Sequence, residues 1–164
     1  MLIHDESKKK LDELAQRFFW MNHKLDRMKA VLNVKFAMPN LAKRVHIELA
    51  HAYPLLADEV NDIEEMFNYD PCYLPIENAS ENYESVDEVI NQLYEWTLET
   101  NDILCDTAKF VKECGDFTAY KLMSHIIIEY AKFVANAILL VDKKDLYKDR
   151  LYAMDDNVEE WWVL

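Results

Sequence analysis

The scarcity of glycine constrains this chain more than any other feature of its sequence. Gly115 is the one glycine among 164 residues, and there are four prolines. β-Sheet proteins need many turns rich in glycine and proline, whereas a few long helices need few. Apolar residues make up 51% of the chain, which is enough for a buried core. The sequence therefore predicts a single all-α domain.

Four segments have apolar residues at every third or fourth position, the spacing of a helix that is buried on one side. The first two are helix A over residues 7–32 and helix B over residues 40–67, with Asn40 as the N-cap of helix B. Pro54 falls inside helix B, where proline removes an amide donor and clashes with the preceding turn. We expect a kink at this point, or two helices that meet.

The next two helices are predicted to be antiparallel neighbours joined by a tight turn. Ser85-Val86-Asp87-Glu88 has the form of a capping box and begins helix C. Gly115 follows the last turn of helix C, where a left-handed cap is needed, and Asp116 is placed to cap helix D. Helix D, over about residues 120–141, is apolar around most of its circumference. Such a helix is either central or shared with another subunit, so we expect a homo-oligomer.

The remaining segments complete the predicted architecture. Residues 68–84 form one long crossover between helices B and C, a recognised topology for an antiparallel four-helix bundle. The bundle is predicted over residues 1–142, and residues 143–164 form a short C-terminal docking tail that includes Trp161 and Trp162. Lysine, histidine and glutamate side chains interrupt helix D, which argues against a membrane span.

The net charge and the spacing of the cysteines indicate which classes of partner and which cellular compartment to expect. The net charge of −13 argues against nucleic acid, because affinity for phosphate comes from clustered lysine and arginine. An acidic surface instead favours cations. Cys72, Cys105 and Cys114 are widely spaced and form no CxxC pair, so neither disulfides nor a zinc site is indicated. A reducing cytoplasm is the expected setting.

One short motif has the spacing of a metal site. In carboxylate-bridged di-metal bundles, Glu-x-x-His brings a carboxylate and an imidazole to one helix face. Glu48 and His51 have this spacing in helix B. The helical phase, however, places Glu48 at the edge of the apolar stripe and His51 further out, so a complete site inside the bundle is not predicted. Metal ligands on an outer face and ordinary surface residues both remain open.

Several stretches carry a resemblance to a known family. They are His23-Lys24-Leu25, residues 32–35, residues 55–65, and the run 113–118 followed by 129–132. Together they resemble the Dps family, ferritin-like proteins that oxidise iron and shield DNA. The resemblance implies a ferritin-like four-helix bundle that assembles into a shell, with iron as the metal and ferroxidase as the activity.

The chain departs from the family at its iron site. Val31 and Ala50 stand where the family has a histidine and an acid, and Asn61 stands where it has an aspartate. His46 and Glu65 match. The predicted metal contacts are therefore His46 and Glu65 by resemblance, with Glu48 and His51 by spacing. Two hypotheses follow: an iron-binding, iron-oxidising or iron-storage subunit with altered or lost ferroxidase activity, or a non-catalytic helical scaffold that keeps the fold.

Overall fold

The computed structural model describes residues 3–164, and the secondary structure of that range is entirely helical. The elements are α1 (Asp5–Val34), α2 (Pro39–Arg44), a π-helical segment (Val45–Ala50), α3 (Ala52–Met66), α4 (Val86–Glu113), α5 (Phe117–Tyr147), α6 (Leu151–Asp156) and α7 (Val158–Trp161). The bundle has four members. The first is α1, the second is the continuous unit made of α2, the π-helical segment and α3, and the third and fourth are α4 and α5. Residues 67–85 form the long crossover between the second and third members. The predicted all-α bundle with one crossover is confirmed.

The core is built by the apolar stripes on the facing sides of the helices. The stripe predicted for helix A is buried in α1, where seven side chains are at most 1% exposed: Leu11, Leu14, Phe18, Met21, Leu25, Met28 and Leu32. Full burial of one such side chain stabilises the fold by about 1.5–3 kcal/mol. Hydrophobic burial along these stripes therefore holds the bundle together.

The turn and cap that join α4 to its neighbours follow local sequence rules. The backbone amide of Glu88 donates to the Ser85 hydroxyl over 3.2 Å, and the Glu88 carboxylate accepts from the amide of Glu84. Gly115 has a φ of +89°, the left-handed conformation that favours glycine after a helix. Both the serine cap and the glycine cap are confirmed.

Two predicted caps are wrong, because their side chains have distant partners. Helix α2 begins at Pro39 with Met38 as its N-cap, so Asn40 lies inside the first turn. Asp116 is the N-cap residue of α5 by position, but its carboxylate makes no cap there. It accepts instead from the amide of His4 and the hydroxyl of Ser7, and thereby secures the start of α1.

The expected break in helix B is present as the π-helical segment. Pro54 has no amide hydrogen to donate to the carbonyl of Ala50, four residues earlier. The Asn22 side chain of α1 donates to this carbonyl over 2.8 Å. Just before it, the amide of His51 donates to the carbonyl of His46, the five-residue spacing of a π-turn. The chain thus continues from α2 to α3 with one widened turn.

The crossover is fastened to α1 by donors spaced about one helical turn apart. Trp20 Nε1 donates to Glu77 over 2.9 Å, and Lys24 Nζ donates to the carbonyl of Asn78 and to Glu81. Gln16 and Arg27, before and after them, donate to crossover carbonyls. These contacts give the crossover a defined path along α1 although it has no regular structure of its own.

The C-terminal segment folds back onto α2 and the π-helical segment. Helix α5 continues past the predicted boundary at residue 142 to Tyr147. The Asp155 carboxylate of α6 then accepts from the backbone amide of Leu41 over 2.6 Å. Arg44 pairs with Glu159, and Trp162 Nε1 donates to Glu48 over 2.8 Å.

Helix α5 has more apolar side chains than the core of the bundle buries. In length and composition it could cross a membrane, and within residues 3–164 it is the one helix of that kind. In the fold it is a bundle helix that buries Met123, Ile126, Tyr130 and Leu140. Outside this buried face it exposes Ile128 by 66% and Ile138 by 45%.

Candidate metal centre

An aromatic layer fills the middle of the bundle. It consists of Phe18 from α1, Tyr53 from α3, and Tyr130 and Phe133 from α5. The ring centroids of Tyr130 and Phe133 are 5.4 Å apart in a stacked arrangement, and those of Tyr53 and Phe133 are 5.5 Å apart. Phe18 lies 6.1 Å from each tyrosine ring. Phe18 and Tyr130 lie near the midpoints of their helices, so the layer crosses the bundle at half height.

Hydrogen bonds tie this aromatic layer to the fourth helix. The hydroxyls of Tyr53 and Tyr130 are 2.9 Å apart, and the Tyr130 hydroxyl donates to the carbonyl of Thr97 in α4 over 3.2 Å. Burial raises the pKa of Tyr130 to about 12 and that of Tyr53 well above its ordinary value. Both phenols are therefore neutral hydrogen-bonding groups at physiological pH.

The aromatic layer does not fit a di-metal site inside the bundle. Such a site needs inward-projecting carboxylates from all four helices and two histidines. Among the described residues the buried carboxylates are Asp12, Glu64, Asp116 and Asp155, and none of them belongs to the layer. No group of three or more His, Cys, Asp or Glu side chains within residues 3–164 is arranged to hold a metal ion.

Glu64 is a buried carboxyl group that lies outside the aromatic layer. Its side chain is 0% exposed, and neither carboxyl oxygen has a hydrogen-bond partner among the described residues. Burial and the neighbouring Asp12 carboxylate raise its pKa to about 7, against the opposing effect of Lys8. Asp12 itself is paired with Lys8 over 3.1 Å and accepts from the amide of Cys72. Near neutral pH, Glu64 is therefore partly protonated.

The structure brings together two of the four predicted metal contacts, His46 and His51. They lie at the two ends of the π-turn, and their ring centroids are 4.2 Å apart. His46 Nδ1 is 2.8 Å from a carboxylate oxygen of Asp26 in α1. His51 is exposed and His46 is half-buried. The pair therefore lies on the bundle surface, outside the core.

The other two predicted contacts lie elsewhere. The Glu48 carboxylate is held by Arg44 and by the indole of Trp162. Glu65 is exposed near the far end of α3. At a rise of 1.5 Å per residue, about 21 Å of helix axis separates it from His51. The four residues do not form a single centre.

Comparison with solved structures shows which known proteins share this architecture. An open-pore ferritin from the hyperthermophilic archaeon Archaeoglobus fulgidus superposes with a TM-score of 0.88 over 95% of this chain and 96% of that one, at 13% identity. A humanized archaeal ferritin gives a TM-score of 0.89 over 97% and 96% of the two chains, also at 13% identity. The fold is ferritin-like. A closed form of the Archaeoglobus fulgidus ferritin, made by site-directed mutagenesis, gives the same result with a TM-score of 0.88.

The likeness to the ferritins is one of fold alone. No protein-family model and no curated protein matches the chain. At 13% identity the match to the ferritins concerns the path of the chain and leaves its chemistry open. Membership of the Dps family stays a prediction.

Sequence reasoning missed two parts of this arrangement. Tyr53 was not singled out, although it is 1% exposed and follows the buried Leu49 by four residues, the spacing of one helix face. Asp26 was not singled out, because its partner His46 lies on another helix.

Proposed function

We propose that this chain is a ferritin-like subunit that binds and stores iron on its acidic surfaces and has no ferroxidase centre inside its bundle. The aromatic layer carries the second part of the proposal, because it occupies the space in which inward-facing ligands would hold two metal ions. The first part is supported by the ferritin-like fold over nearly the whole chain and by the net charge of −13.

The distribution of carboxylates supports iron as the cargo. All but four of the 31 acidic residues are at least partly exposed, and oxygen ligands of this kind bind hard cations. A strongly acidic surface also raises the local concentration of cations. We further propose that the subunits form a homo-oligomer in the cytoplasm, where the three free cysteines suit a reducing environment.

The test is aerobic addition of Fe²⁺ to metal-free protein, with ferric formation followed by absorbance. We expect oxidation at the rate of buffer when a few Fe²⁺ ions are added per subunit. After heavier loading, iron should co-elute with the protein in size-exclusion chromatography. A variant with both His46→Ala and Glu65→Ala serves as the control for the predicted ligands.

Each outcome has a defined meaning. Rapid oxidation that the double variant abolishes would show a working ferroxidase and contradict the proposal. Slow oxidation with retained iron would support it. If no iron co-elutes at any loading, storage is excluded and the non-catalytic scaffold becomes the better interpretation.

A further inference from the structure

We propose that His46 and His51 bind a divalent transition-metal ion at the bundle surface, with Asp26 as the residue that positions His46. This site is separate from iron storage on the acidic surfaces, and it rests on contacts that the proposed function does not use.

The π-turn is what brings the two imidazoles together. In an α-helix, residues five positions apart point about 140° away from each other. In the π-turn the amide of His51 donates to the carbonyl of His46 over 3.1 Å, so the two residues lie one above the other. Their rings are consequently 4.2 Å apart between centroids. π-Turns of this kind often occur at functional sites.

Asp26 fixes which nitrogen of His46 is free to bind. A carboxylate can accept a hydrogen bond but not donate one, so the 2.8 Å contact places a proton on His46 Nδ1. In the neutral ring this leaves the lone pair on Nε2. The same carboxylate–histidine pairing supports many metal-binding histidines, since it orients the ring and raises its basicity.

The ligand set indicates the class of metal. Imidazole nitrogens suit Zn²⁺, Ni²⁺ and Cu²⁺, whereas Mg²⁺ and Ca²⁺ prefer oxygen. Glu48 lies on the same π-turn, but Arg44 and Trp162 already hold its carboxylate. The protein therefore supplies two imidazoles, and water completes the coordination shell.

A second histidine on the surface provides a matched control. His125 Nδ1 lies 3.0 Å from a carboxylate oxygen of Glu59, much as His46 lies beside Asp26. The His46–His51 pair is the one histidine–histidine ring contact within the described residues. Each of the two sites thus has a carboxylate beside Nδ1, but only the His46 site has a second imidazole next to it.

The experiment is isothermal titration of the full-length, metal-free protein with NiCl₂ and, separately, with ZnCl₂ at neutral pH. We expect one saturable equivalent per chain, lost in His46→Ala and in His51→Ala and unchanged in His125→Ala. Asp26→Asn keeps both imidazoles but removes the acceptor charge, and its affinity should fall by about 10- to 100-fold. Circular dichroism confirms that each variant is folded.

A spectroscopic measurement on the wild-type chain does not depend on the variants. Long-range ¹H–¹⁵N spectra of the imidazoles should show His46 protonated at Nδ1, and Zn²⁺ should shift its Nε2 resonance. Absence of saturable binding by wild-type protein, or binding that persists in both histidine variants, would overturn the proposal. Neither result bears on iron retention, which is measured separately.

Discussion

At the scale of single residues, Glu64 makes the stability of the fold depend on pH. A carboxyl group whose pKa rises on folding stabilises the protein below its unfolded pKa, and this contribution is lost as pH rises through the folded pKa. Burial, with the added effect of Asp12, raises the pKa of Glu64 from 4.5 to about 7. Its contribution should therefore decline between these two values.

Glu64→Gln is the direct test of this buried carboxyl. Glutamine has nearly the same shape, stays neutral, and can donate to the Asp12 carboxylate. Relative to wild type, the variant should gain up to about 3 kcal/mol of unfolding free energy between pH 4.5 and pH 8. Urea unfolding at several pH values measures this difference.

The exposed neighbour Glu65 supplies the control for that experiment. Glu65→Gln removes the same charge one position further along α3, from a side chain in solvent. Its effect on the unfolding free energy should be small and nearly independent of pH. Equal pH dependence in the two variants would mean that burial is not the cause.

At the scale of elements, local signals in the sequence predicted more than long-range ones. The cap at Ser85 and the turn at Gly115 were predictable, because a capping box and a left-handed cap depend on neighbouring residues. The caps assigned to Asn40 and Asp116 were wrong, because Asp155 and the His4–Ser7 pair approach from distant parts of the chain. The core of α1 was predicted by periodicity, because the spacing of apolar residues along one helix is also a local property.

The candidate site residues likewise divide into those that local sequence could indicate and those that depend on long-range contacts. Spacing selected His51 and resemblance selected His46, and the fold placed these two side chains in contact. Neither kind of argument could show that Trp162 would reach Glu48, since the two are joined by folding of the C-terminal segment. The interior aromatic layer likewise depends on which residues of α3 and α5 meet across the bundle.

The hydrogen bond from Asn22 to the π-turn is expected to stabilise the fold. Asn22→Ala should leave the carbonyl of Ala50 without its side-chain donor and lower the unfolding free energy by about 1 kcal/mol or more. In a Pro54→Ala background, residue 54 regains an amide that can donate to that carbonyl. The effect of Asn22→Ala should then shrink.

A double-mutant cycle of these two substitutions, measured by urea unfolding, isolates the coupling between them. A coupling close to zero would mean that Asn22 does not compensate for the proline. Asn33→Ala, at an exposed position of the same helix, controls for a change in the helix propensity of α1.

The C-terminal segment is expected to stabilise the start of α2 through one carboxylate. Asp155 is 3% exposed and accepts from the amide of Leu41 over 2.6 Å. Because it is an anion at a helix N-terminus, Asp155→Ala should lower the unfolding free energy by about 1–3 kcal/mol. The exposed neighbour Asp156 is the matched control, and an equal effect of Asp156→Ala in urea unfolding would contradict this role.

At the scale of the whole molecule, a ferritin-like fold encloses an aromatic interior. The chain follows the path of archaeal ferritins over 95% of its length at 13% identity, yet aromatic side chains occupy the middle of its bundle. The rings of Tyr53, Tyr130 and Phe133 pack against one another there, and the two tyrosine hydroxyls are hydrogen-bonded to each other.

The exposed side of α5 predicts self-association. Ile128 is 66% exposed and Ile138 is 45% exposed on a helix that is apolar around most of its circumference, and burying such side chains against a second copy is favourable. We expect a molar mass of several subunits in light scattering at micromolar concentration, reduced by Ile128→Glu. Val34→Glu, at the exposed end of α1, introduces the same charge away from α5 and should leave the mass unchanged. A monomeric wild-type protein would refute self-association, and equal effects of the two variants would place the interface away from α5.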